Sequence, residues 1–437
     1  MRIKSKVFGA CILLICTTAC ARKGAAQQPV MSGDDRMLIE VMLRAARDDV
    51  KRDYYDPKIR GLDWDGLYAK WQAKIPTARN LGEGMRIVSA YLSELKDTHT
   101  FLLPPMRSVR MDYGYQLEEI GDKCFVTQVR PDSDAEAKLH IGDQVLKLDG
   151  YLVTREDFHA LQRYRMTQAM LNGSVMTIRT PTGDERELRV RAAEHPVNLN
   201  GTTDNWGERM RNWESDSDSV RKEVVTSGDV AIWKLPEFNL DEEWIQTQMD
   251  KARRHKALIL DLRGNPGGAI TTLSWLAGSF FDHDVKIADK VQRTATKPMM
   301  TRHASHAFDG KLIVLVDARS ASCSELLSRL VQLEHRGTVI GDRSAGAVME
   351  SIQDRGSVGP TSGAVFAFSI TEANLIMTDG KSLEGAGVTP DEQMLPTAAD
   401  LVAGRDPVLA HAVELAGGKM DPAEAGKLFP YEWPKFK

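Results

Sequence analysis

A chain of 437 residues, 42% hydrophobic and 27% charged, has ordinary globular composition and length for two or three domains. Its 57 basic and 61 acidic residues leave a formal net charge of -4 with no basic stripe, which removes the electrostatic case for nucleic-acid binding. No phosphate-loop lysine pattern, paired CxxC or HExxH is present, so neither cofactor nor metal is expected.

Residues 1–20 read as an export signal. Arg2, Lys4 and Lys6 form a basic start, residues 7–16 an apolar run too short to span a bilayer, and Thr17-Thr18-Ala19 a small-residue step before Cys20. That step looks like a bacterial lipoprotein cleavage site with Cys20 lipidated, although Thr17 stands where a branched aliphatic residue is usual. A plain cleavable signal is the alternative. Either way the chain is expected in the periplasm or cell envelope, and Ala21, not being aspartate, points by that resemblance to the outer membrane. Residues 21–33 are small and polar and read as a tether.

From 34 to 103 the apolar positions Leu38, Val41, Met42 and Ala45 recur at helical spacing, and the helical part is expected to end near Asp97. Residues 104–196 switch to short alternating strands, as at 124–129 and 174–179, with turns at Gly121-Asp122, Gly142-Asp143 and Thr182-Gly183-Asp184. Residues 197–220 read as a linker. The unit at 221–400 repeats a strand–turn–helix pattern. The apolar run 257–260 stops in Gly264-Asn265-Pro266-Gly267-Gly268, and the run 311–316 stops at Ser320, with helix resuming from Glu325. Continuous apolar runs suit strands buried on both faces, hence an α/β core. Residues 401–437 are expected as a C-terminal tail or helix. Cys124 and Cys323 are too few for a disulfide framework, and His303 with His306 reads as a solvated loop.

Chemistry concentrates at the two strand ends. Ser320, Ser322 and Ser324 crowd the point where a buried strand becomes a helix, where a hydroxyl stands above the sheet edge and helix amides point towards it. Serine is also a favoured helix cap, and both readings stay open. The glycine loop at 264–268 supplies either a second set of amides for an oxyanion or simply a tight turn.

Five motifs in order carry a resemblance: Asp97-Thr98-His99-Thr100, the β unit, residues 261–268, the serine run at 320–325, and Gly341-Asp342-Arg343-Ser344-Ala345-Gly346. Together they resemble the carboxyl-terminal processing (tail-specific) protease family, and more closely its tricorn-core branch. The resemblance implies an α/β fold, with a ClpP/crotonase-like β-α spiral core, a helical N-terminal part and an inserted PDZ-like domain. It implies Ser322 as nucleophile, with Gly267, Gly268 and Cys323 around the oxyanion. The processing-protease branch pairs its serine with a lysine, but that position is Ala347 here. His99 matches the base of the tricorn-like branch, Thr98 the hydroxyl residue before it, and Glu384 the late acid. Tyr113-Gly114-Tyr115-Gln116-Leu117 resembles a carboxylate-binding loop for peptide tails, with a helix from Arg155 to about Arg165 as the opposite wall. A β unit that only packs on the core is the alternative. The implied partner is a protein or peptide substrate, and the membrane is met only through the lipid anchor. A catalytically silent peptide-binding lipoprotein and a small-ligand carrier, like the retinoid-binding proteins sharing this core, are the competing readings.

Overall fold

The N-terminal helices are set by caps and one apolar stripe. Ser32 accepts from the Asp35 amide to start helix Gly33–Asp53, with Asp34 and Asp35 in the first turn and Lys51 and Arg52 in the last. Leu38, Ile39, Met42, Leu43, Ala46 and Val50 form its buried face. Helices Trp64–Gln72 and Leu81–Ser93 begin on Asp63 and Asn80 caps, and the three helices share one core with Phe366, Phe368 and Ile370. The computed structural model describes residues 31–104, 109–155, 161, 172–196, 224–358 and 364–434. The expected signal with Cys20, most of the tether, the 197–220 linker and nearly all of the helix expected from Arg155 lie outside the described residues.

Strands between Tyr115 and Arg191 form a separate small sheet. Its strands run in the order Tyr115–Ile120, Lys123–Val129, Gln144–Leu148, Gly173–Arg179 and Glu185–Arg191, all antiparallel, with Tyr151–Leu152 beside Gln144–Leu148. Strand Tyr115–Ile120 stands at the edge and turns Tyr115 and Leu117 into the unit's own core, with Val126, Met176 and Ile178.

The core of the chain's second half is a six-stranded sheet. Val224–Ser227 pairs antiparallel with Val230–Lys234, and then Ala257–Asp261, Lys311–Val316, Gly337–Gly341 and Glu392–Gln393 add in parallel. Alternation splits each strand between two cores. Leu258, Leu260, Leu312 and Val314 face helices Glu242–Ala252, Ile270–Gly278 and Cys323–Leu333, whereas Ile259, Ile313, Leu315 and Ile340 face Val408, Leu409 and Val413. The segment expected as a tail or helix is therefore a structural layer, because helix Pro407–Leu415 seals the second face.

A second, antiparallel sheet ties the N-terminal part to the core. Strand Phe101–Leu103 pairs with Ala364–Met377, Phe101 opposite Ser369, and Lys286–Gln292, Thr296–Met300 and Met349–Val358 complete that sheet. This pairing carries His99, two residues before the strand, onto the core. Among the described residues no helix is long and apolar enough to cross a membrane.

Candidate active site

Three serines compete for one role, and their surroundings separate them. The Ser320 hydroxyl donates to Leu262 O at 2.8 Å, with Asp317 Oδ1 at 3.1 Å beside it, and the Ser324 hydroxyl donates to Asn265 O at 3.0 Å. Both serines are fully buried, so their hydroxyls knit loop backbones together. Ser322 is only half-buried and holds φ +54°, ψ −117°, a conformation that costs a non-glycine residue about 1–3 kcal/mol. A strained turn at a strand-to-helix junction lifts a side chain clear of the sheet. The neighbouring Cys323 thiol is no rival: burial pushes its pKa up to about 12, so it stays protonated at neutral pH.

The glycine loop closes against this turn. A Cβ on Gly267 would lie 2.6 Å from the Ser322 Cβ and 3.0 Å from the Cys323 nitrogen, so only glycine permits the approach, at φ +100°. Its own amide is occupied, donating to Asn265 Oδ1 at 2.8 Å. Gly267 therefore shapes the site without donating to it. The Gly268 and Cys323 amides donate to no oxygen among the described residues. Cys323 begins helix Cys323–Leu333, where a first-turn amide has no partner in its own helix.

The surroundings of His99 are assembled from residues nearly three hundred positions apart. Asp97 Oδ1 accepts from the His99 amide at 2.8 Å, the Thr100 amide at 3.0 Å and Thr371 Oγ1 at 2.7 Å, while Asp97 Oδ2 accepts from the Tyr54 hydroxyl at 2.9 Å. This buried carboxylate fixes the turn that presents Thr98 and His99. Glu384 Oε1 accepts from the Thr98 amide at 2.8 Å, and its Oε2 accepts from Thr98 Oγ1 and the Val348 amide, each at 2.9 Å. Burial raises the Glu384 pKa, opposed by the Thr98 and Val348 amides. Thr98 Oγ1 also lies 2.8 Å from His99 Nδ1. A hydroxyl has one hydrogen, and Thr98 gives it to the carboxylate, so Nδ1 is the donor to Thr98 and Nε2 keeps the lone pair.

One peptide group joins the two halves. Ala347 O accepts from the Ser322 amide at 2.9 Å, and the next amide, Val348, is the one that donates to Glu384. Glu384 and Thr98 hold His99, and the Ala347–Val348 peptide links Glu384 to the Ser322 backbone amide, whereas Tyr113, Gly114, Tyr115, Gln116 and Leu117 belong to the separate β unit. There Gly114 turns at φ +71°, donates to Asp112 Oδ1 at 2.9 Å and accepts from the Arg130 amide at 2.8 Å.

Sequence reading missed one residue of this site. Glu325 is fully buried, and burial raises its pKa to about 7 against four donors: Ser344 Oγ at 2.5 Å and Gly346 N at 2.8 Å on Oε1, Ala347 N at 2.9 Å and Ser322 N at 3.0 Å on Oε2. The available signal was the Ser-x-x-Glu capping pattern at 322–325. Among the described residues no cluster of three or more His, Cys, Asp or Glu side chains is arranged for a metal ion.

The β unit rests on the loops that bear these groups. Glu118 meets Arg319 at 3.1 Å, and Asp342 Oδ2 accepts from Gly121 N and Arg155 Nη1, each at 2.8 Å. Arg155 also donates to Arg343 O.

Residues 229–394 match the model of peptidase family S41, and residues 39–85 match that of the tricorn protease C1 domain. The chain is 24% identical over 390 residues to a putative tricorn protease homolog 2 of Streptomyces coelicolor, covering 84% of this chain and 31% of that one. It is 26% identical over 353 residues to a tail-specific protease of Haemophilus influenzae, covering 73% of this chain and 49% of that one. It therefore spans less than half the length of these relatives. Mature CPAF, solved in complex with lactacystin, shares the fold with a TM-score of 0.61 at 16% identity, over 83% of this chain and 96% of that one. The photosystem II D1 C-terminal processing protease follows with a TM-score of 0.52 at 20% identity, over 85% and 97% of the two chains. At those identities the two structures speak for a shared mixed α/β fold.

Proposed function

We propose, from the premise that this chain carries a peptidase family S41 domain and a tricorn protease C1 domain, that it is a serine endopeptidase acting through Ser322 and His99. The observation that carries the reading is the unbroken relay from Glu384 through the Thr98 hydroxyl to His99 Nδ1, tied by the Ala347–Val348 peptide to the Ser322 amide. A serine hydroxyl is a weak nucleophile at neutral pH and needs a base. His99 Nε2 takes the Ser322 Oγ proton as Oγ bonds to the scissile carbonyl carbon, and the Gly268 and Cys323 amides receive the oxyanion. Collapse breaks the C–N bond, His99 returns the proton to the leaving amine, and water releases the acyl group by the same steps. Glu384, reached through Thr98, stabilises the imidazolium that forms. Ala347 leaves no lysine base, which is the motive for a silent peptide-binding protein, and the histidine relay answers that motive by supplying a base of another kind.

The β unit serves, in this reading, as a PDZ-like module on a ClpP/crotonase-like β-α spiral core. The Tyr113–Leu117 segment leads into an edge strand, the geometry needed to receive a peptide tail by strand addition. Substrates are proteins or peptides of the cell envelope, where a lipidated Cys20 would hold the enzyme. A fluorophosphonate probe tests the mechanism on the full chain: it labels the wild type and leaves Ser322→Ala unlabelled. Folded wild type that resists labelling would overturn the proposal.

A further inference from the structure

We infer that Glu325 is a positioning residue for this reaction: its buried carboxylate clamps the Ser322 turn to the 344–348 segment and so sets the spacing between the nucleophile and its base relay. The inference rests on the peptidase reading above.

A glutamate in the first turn of a helix ordinarily caps one backbone amide from the surface, contributing about 1 kcal/mol. Glu325 departs from that in two ways. It is fully buried, and three of its four donors come from outside its own helix, namely Ser344, Gly346 and Ala347. The fourth is the amide of Ser322 itself. The helix start alone requires only that fourth bond.

What the other three hold is the relay's anchor. Ala347 donates its amide to Glu325, accepts the Ser322 amide on its carbonyl, and is followed by Val348, whose amide holds Glu384. Ser344 belongs to the same clamp from the other end, accepting the Val388 amide at 2.6 Å while donating to Glu325. Nucleophile and acid are therefore spaced by a segment with no regular secondary structure, and Glu325 is the side chain that locks it on both flanks of the Ser322 amide.

An ionised carboxylate suits this task because it offers acceptors only, and all four partners donate. An amide in its place turns its NH2 towards at least one backbone N–H in either orientation. Burial pushes this carboxylate up to about 7, with the four donors opposing the rise. Across the Ala347–Val348 peptide that it holds lies the Glu384 carboxylate, and the Cys323 thiol stands two residues before it in the same first helical turn. His99 must also be neutral to act as base. Activity then requires both Glu325 and His99 deprotonated.

The test is the pH dependence of fluorophosphonate labelling in the full chain, for wild type, Glu325→Gln and Ser344→Ala, with thermal unfolding as a check of folding. Glu325→Gln is expected to lower the maximal labelling rate roughly 10- to 100-fold while leaving probe affinity within about twofold. The acid limb of the logarithmic rate profile falls from a slope approaching two to a slope of one. Ser344→Ala removes one donor, so the same limb moves to higher pH at unchanged slope. If Glu325→Gln does not fold, the Ser344→Ala shift decides by itself. Labelled wild type with a folded Glu325→Gln of equal rate and equal slope, or an unshifted limb in Ser344→Ala, overturns this inference alone. Wild type that is folded and not labelled overturns the peptidase reading and this inference together.

Discussion

Replacing Thr98 by valine tests the relay at its narrowest point. Valine keeps the shape of threonine and removes only the hydroxyl, which lies 2.8 Å from His99 Nδ1 and 2.9 Å from Glu384 Oε2. Glu384 is not orphaned, because it keeps the residue 98 amide at 2.8 Å and the Val348 amide at 2.9 Å. The stability cost is therefore one neutral and one charge-assisted hydrogen bond, about 2–4 kcal/mol in total. The kinetic cost is larger. Without an acceptor for Nδ1–H, the imidazole loses both the preference for the tautomer with a free Nε2 and the route by which Glu384 stabilises the imidazolium. Removing the equivalent support in a Ser-His-Asp triad costs about 10^4, so a loss of about 10^2 to 10^4 in the maximal labelling rate is expected, with probe affinity unchanged. Thr98→Ser restores the hydroxyl and is expected within about fivefold of wild type. The assay is time-resolved fluorophosphonate labelling at fixed pH, read on folded protein. A Thr98→Val rate within about threefold of wild type would refute the relay.

Gly267→Ala places a methyl 2.6 Å from the Ser322 Cβ at φ +100°, whereas Gly183→Ala meets nothing within 4 Å at φ +98°. Backbone strain of about 1–3 kcal/mol is common to both, so the two variants lower thermal stability, and only Gly267→Ala is expected to lose labelling more than about 100-fold. Equal labelling of the two would refute the close packing of Gly267 on Ser322. At the C-terminal end, the Tyr431 hydroxyl accepts from Gln116 Nε2 at 2.8 Å, Arg130 lies 4.6 Å from the Trp433 ring centroid, and Arg130 donates to Pro434 O at 3.1 Å. Trp433→Ala removes a cation–π contact of about 0.5–2 kcal/mol and is expected to speed amide exchange in Tyr115–Ile120 and Lys123–Val129, with the 257–261 strand unaffected. Unchanged exchange in both hairpin strands would refute a stabilising role for the Trp433 contact on the β unit.

Much of the architecture was legible because it is local or periodic. The apolar runs at 257–260 and 311–316 read as strands buried on both faces, and Leu258 and Ile259 do enter opposite cores. The C-terminal segment was less legible. Expected as a tail or helix, it contributes Val408, Leu409 and Val413 to a core, because a short amphipathic helix does not disclose in sequence which sheet face it will cover. Gly267 was grouped with the oxyanion donors, and only the Asn265 side chain reaching its amide separates it from Gly268.

Composition, periodicity and short motifs by themselves determined the exported α/β reading as an expectation, the three-part order of the chain and a short set of candidate groups. They could do so because strand burial, capping and turn chemistry depend on near neighbours. That Ser320 and Ser324 are buried and bonded to loop carbonyls while Ser322 is half-buried, that Thr98 bonds Glu384, and that Glu325 is enclosed among four donors emerged only in three dimensions. The reason is that each depends on burial and on donors brought from distant strands, and the pairing of Phe101–Leu103 with Ala364–Met377 that carries His99 to the core joins stretches more than two hundred residues apart.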